Sequence, residues 1–337
     1  MRVVSLFCLT LVWSLAAPSA ALAGAASPQD AASAADARGW LMRMQSAARE
    51  RNYQGTLVFT AGEVVSSSKI GHFCTGDQSF ERVEALDGRQ QRVYRHNELV
   101  HTLWPQSRVA TSEQRDAVSA TPLLPDVEPR LQEHYELRVL GSDHIAGREA
   151  KVLWLKPRDE LRFAQRLWAD AATGLMLRAD VLGPGSIVLE SSAFSDIEIG
   201  GKPHRESVLG PMNKLEGYRV VKLESTRAQL DAEGWLLSPV PPGFRLVGCL
   251  KRPIGTPAAG DPVTAQVLQA VFSDGLTRVS VFIEPYDRAQ PRRPLLTQLG
   301  ATFTLMKPHA DRWWITVMGD VPAQTLKQFM GALERRP

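Results

Sequence analysis

From residue 53 to residue 199 the chain runs in short, often alternating apolar–polar stretches, broken by turn residues and never by a segment long enough for a crossover helix. That pattern argues against a parallel α/β sheet, because each parallel pair needs a connection of about a dozen residues or more, usually helical. The spacing predicts strands over 53–60, 64–73, 79–86, 90–96 and 99–104, and then over 135–141, 150–157, 166–169, 175–182 and 187–199. Ala61-Gly62, Thr75-Gly76-Asp77, Asp87-Gly88, Asn97 and Gly183-Pro184-Gly185 punctuate them. Asp-Gly is the strongest of these hairpin signals. Asp36 opens a helix with Trp40, Met44 and Ala47 at helical spacing, aimed at the sheet. Residues 114–129 carry three prolines and read as a long loop ending in a short helix near 127–133.

Residues 200–234 shift in character, being charged and broken by Gly-Lys-Pro, Gly-Pro and Glu-Gly. Residues 206–233 read as a linker, with some local strand at 218–223. A second unit, 234–337, follows, with strands over 235–237, 244–251, 266–273, 278–284, 301–307 and 311–319. Pro322 suits the first turn of a closing helix over 323–333, whose Leu326, Phe329, Met330 and Leu333 form an apolar face. The fold class is therefore mainly β (α+β), with a large domain over 36–205 and a smaller C-terminal antiparallel sheet domain carrying a helix.

The N-terminus decides where such a chain works. Met1-Arg2, an apolar run over 3–17, Pro18 and the small residues of Ala21-Leu22-Ala23 have the anatomy of a secretory signal peptide over 1–23. The run is shorter than the ~20 residues of a spanning helix, and Cys8 stands too far from Ala23 to be a lipoprotein cysteine. Cleavage after Ala23 would take the first 23 of 337 residues and leave 314, with two cysteines and a charge of +2 in place of +3. Residues 24–35, rich in Ala and Ser, read as a flexible leader. The expected location is an oxidising compartment, the periplasm.

Charge and motifs exclude more than they offer. With 39 Lys plus Arg against 36 Asp plus Glu, there is no concentrated basic face of the kind nucleic-acid binders carry. No Gly-x-Ser-x-Gly, His-Glu-x-x-His or Cys-x-x-Cys occurs, and Gly183-x-Gly185 lacks the third glycine of a dinucleotide site. His96 and His101 flank one turn, where solvated hairpin histidines are the simpler reading than a metal site. No catalytic residue, metal or cofactor is expected. Cys74 and Cys249 lie in different units. A disulfide would staple the two units together, yet two separate thiols are favoured, because a bridge needs Cα atoms within about 7 Å.

A binding surface remains. Trp40, Met44, Tyr53, Phe59, Phe73, Leu103, Trp104, Trp154, Phe163 and Trp168 are large apolar groups in a domain built mainly of one sheet. As a set they are compatible with a core and with a lipid groove. Arg158, Arg162 and Arg166, beside Trp168, are candidates for an anionic headgroup or for a solvated charged face.

Several blocks, in order, resemble one family. They begin with Asn52-Tyr53-Gln54-Gly55-Thr56-Leu57-Val58-Phe59 and Glu81-Arg82-Val83-Glu84-Ala85-Leu86-Asp87-Gly88. Tyr135-Glu136-Leu137-Arg138-Val139-Leu140-Gly141, Ala146-Gly147-Arg148-Glu149-Ala150 and Arg166-Leu167-Trp168-Ala169-Asp170 continue them. The second unit adds Pro242-Gly243-Phe244, Phe272-Ser273-Asp274-Gly275-Leu276 and Val279-Ser280-Val281-Phe282-Ile283-Glu284. Together they are similar to the MucB/RseB family, periplasmic negative regulators of the envelope-stress sigma factor. The resemblance implies a lipoprotein-carrier-like large domain, a half-open antiparallel β-barrel with helices in its mouth. It also implies a membrane-bound anti-sigma factor as partner, bound through its periplasmic segment, shielded from regulated proteolysis and released when lipid or lipopolysaccharide binds. Phe272, Ser273, Asp274, Leu276, Phe282 and Glu284 become partner-binding candidates, and a homo-oligomer is a further expectation. A lipid or lipoprotein carrier is the alternative reading. An enzyme acting on envelope polymers is a third, disfavoured by the missing chemistry.

Overall fold

The computed structural model describes residues 28–88, 90–115, 131–254, 265–287, 289, 292–310 and 312–336. The signal-peptide reading over 1–23, the start of the leader and most of the loop at 114–129 lie outside the described residues.

Helix α1 spans Pro28–Glu50, so residues 28–35, read as a flexible leader, are helical. The reason is local: the stretch is rich in Ala, the best helix former. Eleven strands follow in the first domain: β1 (Tyr53–Ala61), β2 (Val64–Thr75), β3 (Gln78–Ala85), β4 (Arg92–His96), β5 (Leu99–Trp104), β6 (Val109–Gln114), β7 (Tyr135–Ile145), β8 (Arg148–Pro157), β9 (Ala164–Asp170), β10 (Met176–Leu182) and β11 (Val188–Ile199). A single helical turn, α2 (Leu131–His134), precedes β7. Ten of these strands were legible as alternating runs. β6 was not, because Val-Ala-Thr-Ser-Glu-Gln has a weak pattern.

These eleven strands and β12 (Arg219–Leu223) form one 12-stranded sheet in the order β12-β6-β5-β4-β3-β2-β1-β11-β10-β9-β8-β7. β1 pairs with β2 on one side and with β11 on the other, which joins the two halves of the domain into one surface. The sheet does not close: β12 and β7 are its edges. Its last member, β12 (Arg219–Leu223), runs parallel to β6, the exception to an otherwise antiparallel sheet.

Residues 206–233 therefore do not serve as a linker throughout. They supply α3 (Glu206–Asn213) and β12 to the first domain. Val208 and Met212, one turn apart on α3, bury against Phe73, Phe80, Tyr94, Leu103 and Ala110. Gly210 and Pro211 mask that short stripe in the sequence. The crossing to the second domain comes after Leu223, where β13 (Thr226–Arg227) already pairs with β15 (Arg245–Ile254).

The second domain adds β14 (Trp235–Leu237), β16 (Ala265–Ser273), β17 (Arg278–Pro285), β18 (Leu295–Leu299), β19 (Thr302–His309), β20 (Trp313–Gly319), α4 (Ala323–Ala332) and β21 (Leu333–Arg335). Its seven-stranded sheet has the order β13-β15-β16-β17-β20-β19-β18. Val279, Val281 and Ile283 of β17 alternate onto one face. There they form a core with Leu326, Phe329 and Met330 of α4.

Candidate functional site

Two regions hold the side chains singled out by the sequence: the faces of the large sheet and the junction between the domains. On the sheet face under α1, Ala37, Leu41 and Met44 pack with Leu137, Leu153, Leu155, Leu167, Ala169 and Met176. Strand alternation sends Trp154, Arg166 and Trp168 to the other face. There Arg166 lies over both indoles, 5.2 Å from the Trp154 ring and 5.8 Å from the Trp168 ring, and Arg178 lies 4.6 Å from Trp168. The Trp168 indole N–H donates to Asp143 Oδ2 at 2.9 Å.

The groove candidates therefore do not line one surface. Met44, Tyr53 and Trp168 are buried in three separate clusters, Phe73 and Leu103 share a fourth, and Phe163 is buried against Phe303 of the second domain. Trp40, Phe59, Trp104 and Trp154 are half-buried, and Trp40 is capped by Arg43 at 4.1 Å. The three candidate headgroup arginines also diverge. Arg158 is exposed and donates to the Gln132 carbonyl. Arg166 belongs to the indole ladder. Arg162 is fully buried and faces the other domain.

That burial defines the domain junction. Arg162 Nε donates to Asp274 Oδ2 at 2.6 Å, and neither side chain has solvent exposure. Arg162 Nη1 pairs with Asp159, and Nη2 donates to the Pro242 carbonyl at 2.6 Å. The Tyr135 hydroxyl donates to the same Asp274 oxygen at 2.9 Å, while Asp274 Oδ1 accepts from the backbone N–H of Leu276 and Thr277. Every polar atom of the carboxylate is thus engaged, as a buried charge requires. Burial opposes the charge on Arg162, but the Asp274, Tyr135 and Asp159 oxygens outweigh it and hold the guanidinium above its ordinary value. Burial, with the Asp274 charge, pushes the Tyr135 hydroxyl well up.

The surrounding backbone fits this arginine. Gly243 has a φ of +82°, and a Cβ there would stand 2.2 Å from Arg162 Nη2. At the same junction Thr325 Oγ1 donates to the Leu161 carbonyl at 2.8 Å, and Leu276 inserts into the core under α1.

This placement corrects the partner-binding expectation for one block. Phe272 is buried in the core under α4, 5.3 Å from the Phe329 ring, and Ser273, Asp274 and Leu276 are buried where the turn between β16 and β17 docks onto the large domain. Phe282 and Glu284 lie on the sheet face away from α4. They are half-buried, and Glu284 pairs with Arg292 at 2.5 Å. Cys74 and Cys249 are both free thiols, so no staple joins the domains. Cys74 lies near the end of β2 beside α1, whereas Cys249 sits opposite Ala270 in the second sheet. His96 stacks on Phe80 at 4.7 Å, and His101 is buried in β5.

Sequence reasoning missed a cleft at the edge of this junction. A space of about 530 Å3 opens between the end of β6 and the second sheet. Glu113 and Arg115 line one wall, and Arg227, Arg252, Gln269 and Arg278 the other. Arg115 and Arg252 both reach Glu113, at 2.9 and 3.6 Å. Four arginines line the space, two of them on Glu113, and such a lining suits an acidic peptide or a phosphorylated group. No local motif marks it, because its residues come from five strands, β6, β13, β15, β16 and β17, and the chain beside them. A second, apolar groove of about 480 Å3 lies in the C-terminal domain, lined by Leu230, Trp235, Leu237, Val240, Leu246 and Phe272.

Comparison with known proteins covers both domains. Residues 36–212 match the MucB/RseB N-terminal domain, and residues 229–334 match the MucB/RseB C-terminal domain. The chain is 31% identical over 319 residues to the sigma factor AlgU regulatory protein MucB of Pseudomonas aeruginosa, covering 91% of this chain and 93% of that protein. It is 24% identical over 303 residues to the sigma-E factor regulatory protein RseB of Haemophilus influenzae, covering 88% and 90%. Among solved structures, MucB in complex with MucA(peri) superposes with a TM-score of 0.65 at 27% identity, covering 90% of this chain and 100% of that one. The Pseudomonas aeruginosa MucA/MucB complex gives 0.67 at 28%, covering 90% and 99%.

Proposed function

The chain belongs to the MucB/RseB family, and from that premise we propose that it regulates a sigma factor by binding the periplasmic segment of a membrane-bound anti-sigma factor. The observation that carries this reading is the likeness, over nine-tenths of the chain, to a MucB solved with MucA(peri). In this reading the protein is periplasmic and acts by binding, with no catalytic step. Bound to the anti-sigma segment, it shields that segment from regulated proteolysis.

The arginine-lined cleft between the domains is the candidate seat for an acidic stretch of the segment. Lipid or lipopolysaccharide is the releasing ligand. The large sheet serves as a half-open barrel, with α1 and α3 over its face as the element that a lipid displaces. Two ligands that favour different arrangements of the two domains are linked by necessity, each weakening the other. The lipid-carrier alternative gives no role to a second domain tied down by a fully buried ion pair.

The test is a binding titration with a labelled synthetic periplasmic segment of the cognate anti-sigma factor. It is repeated with lipid A-type ligand and with Arg252→Glu and Arg278→Glu. Saturable binding that the lipid competes away and that each reversal weakens supports the reading. A segment that does not bind, and whose cleavage the protein does not slow, sinks it. Lipid carried to an acceptor membrane would favour the shuttle instead.

A further inference from the structure

A second constellation stands apart from the domain junction, where α1 ends on the sheet. Alternation along β2 places His72 and Cys74 on one face, and the register sets His72 opposite Glu81 of β3 and opposite Tyr53 of β1. His72 Nε2 lies 3.1 Å from Cys74 Sγ, and His72 Nδ1 lies 3.3 Å from Glu81 Oε1. The Tyr53 ring stacks on the imidazole at 5.2 Å and fixes its plane. Cys74 Sγ–H donates to the Arg49 carbonyl, in the last turn of α1, at 2.8 Å. His72 is buried, Cys74 is half-exposed, and the neighbouring turn over 75–78 is open to solvent.

We propose that Cys74, His72 and Glu81 form a peroxide-reactive thiol site. Cys74 is the nucleophile, His72 relays its proton, and Glu81 is a positioning residue for the imidazole. The arrangement has the three parts that thiol chemistry needs: a sulfur, a base within hydrogen-bond reach, and a third group orienting the base. Sulfur attacks one oxygen of a hydroperoxide. With hydrogen peroxide the S–O bond forms as the O–O bond breaks. The departing hydroxide takes a proton from Nε2, and the thiol proton replaces it there. The products are a sulfenic acid and water; sulfur loses two electrons and the peroxide gains them. Burial opposes a proton on His72, but the contacts with Cys74 and Glu81 outweigh it and push the ring to about 9. Charge developing on sulfur therefore meets an imidazolium.

Cys249 is the internal contrast. Burial, with the carboxylates of Glu233 and Asp231, pushes its thiol up to about 11, away from reactivity at neutral pH. Oxidation at Cys74 also has a mechanical consequence. The new oxygen competes for the space between Sγ and the Arg49 carbonyl, which loosens the C-terminal turn of the helix lying over the sheet.

The full-length protein is exposed to a limited pulse of hydrogen peroxide at neutral pH in the presence of a sulfenic-acid trap. Occupancy at Cys74 and Cys249 is then read by peptide mass spectrometry. Cys74 is expected to be labelled faster by about a hundredfold, the lower end of what a positioned acid–base group contributes. His72→Asn should remove that advantage, and Glu81→Gln should reduce it while Glu81→Asp restores part. Equal labelling of the two cysteines overturns the proposal, as does a folded His72→Asn protein that reacts at the original rate. If His72→Asn does not fold, the comparison of Cys74 with Cys249 in the unaltered protein decides it alone.

Discussion

Replacing Asp274 with alanine tests how the two domains hold together. The substitution leaves Arg162 buried with one carboxylate, Asp159, in place of two. It also strips the acceptor from the Tyr135 hydroxyl and from the N–H groups of Leu276 and Thr277. Removing one partner of a buried pair costs about 3–5 kcal/mol. The surviving Asp159 contact argues for the lower part of that range, while three orphaned donors at about 1 kcal/mol or more each push it back up. A loss near 4 kcal/mol is a large share of the ~5–15 kcal/mol that domains typically have.

Because the bond crosses the junction, the loss should appear first as undocking. Hydrogen exchange should rise over 159–163 and 272–277 while the core of each sheet stays protected. Urea unfolding followed by tryptophan fluorescence should resolve an early step absent from the wild type. Arg162→Met with Asp274→Leu removes both charges and the penalty of the unpaired guanidinium, but still orphans the Tyr135, Leu276 and Thr277 donors, so it should recover only the part of the loss owed to the buried charge. A D274A protein within about 1 kcal/mol of wild type, the scale of a surface pair, would refute the reasoning. So would a double variant as unstable as the single one.

Three further outcomes follow from the same geometry. Gly243→Ala forces a side chain into a left-handed conformation and into Arg162 Nη2, so it should cost at least ~1–3 kcal/mol in chemical denaturation. Glu190 is pushed from 4.5 to about 7, first by burial and then by the Asp320 charge. The native state then binds the extra proton, so this group's contribution falls as pH rises from about 4.5 to about 7. Glu190→Gln should raise the Tm more at pH 8 than at pH 5, and an equal change at both pH values counts against it. His72 has the same sense in a higher pH window. Its native value of about 9 lies above the ordinary 6.5, so its stabilisation is full below about 6.5 and lost as pH rises through about 9. His72→Asn should flatten that slope in a pH series of denaturation curves.

Local pattern carried much of the architecture. Alternation and turn residues located ten of the eleven strands from β1 to β11, and Pro322 with the stripe of Leu326, Phe329 and Met330 located α4. These features need only neighbours in sequence, because strand and helix periods are local consequences of backbone geometry. The ordered blocks also carried the family, since each block holds a turn or a strand in fixed sequence order. Where pattern was short or mixed it failed: β6, β18 and α3 have too few periodic residues to stand out, and the Ala-rich start of α1 reads as loose chain.

The sites depended on distance. Arg158, Arg162 and Arg166 look like one cluster in the sequence, but alternation and burial send them to three environments. Arg162 and Asp274 are 112 residues apart, and nothing near either one announces the other. The four arginines of the cleft have the same history. The sequence by itself settled that this is a two-part, mainly antiparallel chain of the MucB/RseB type. Only the tertiary structure decided which charges meet, because partner choice for a buried charge is made where low dielectric makes an unpaired one costly, and that place exists only after both sheets have formed.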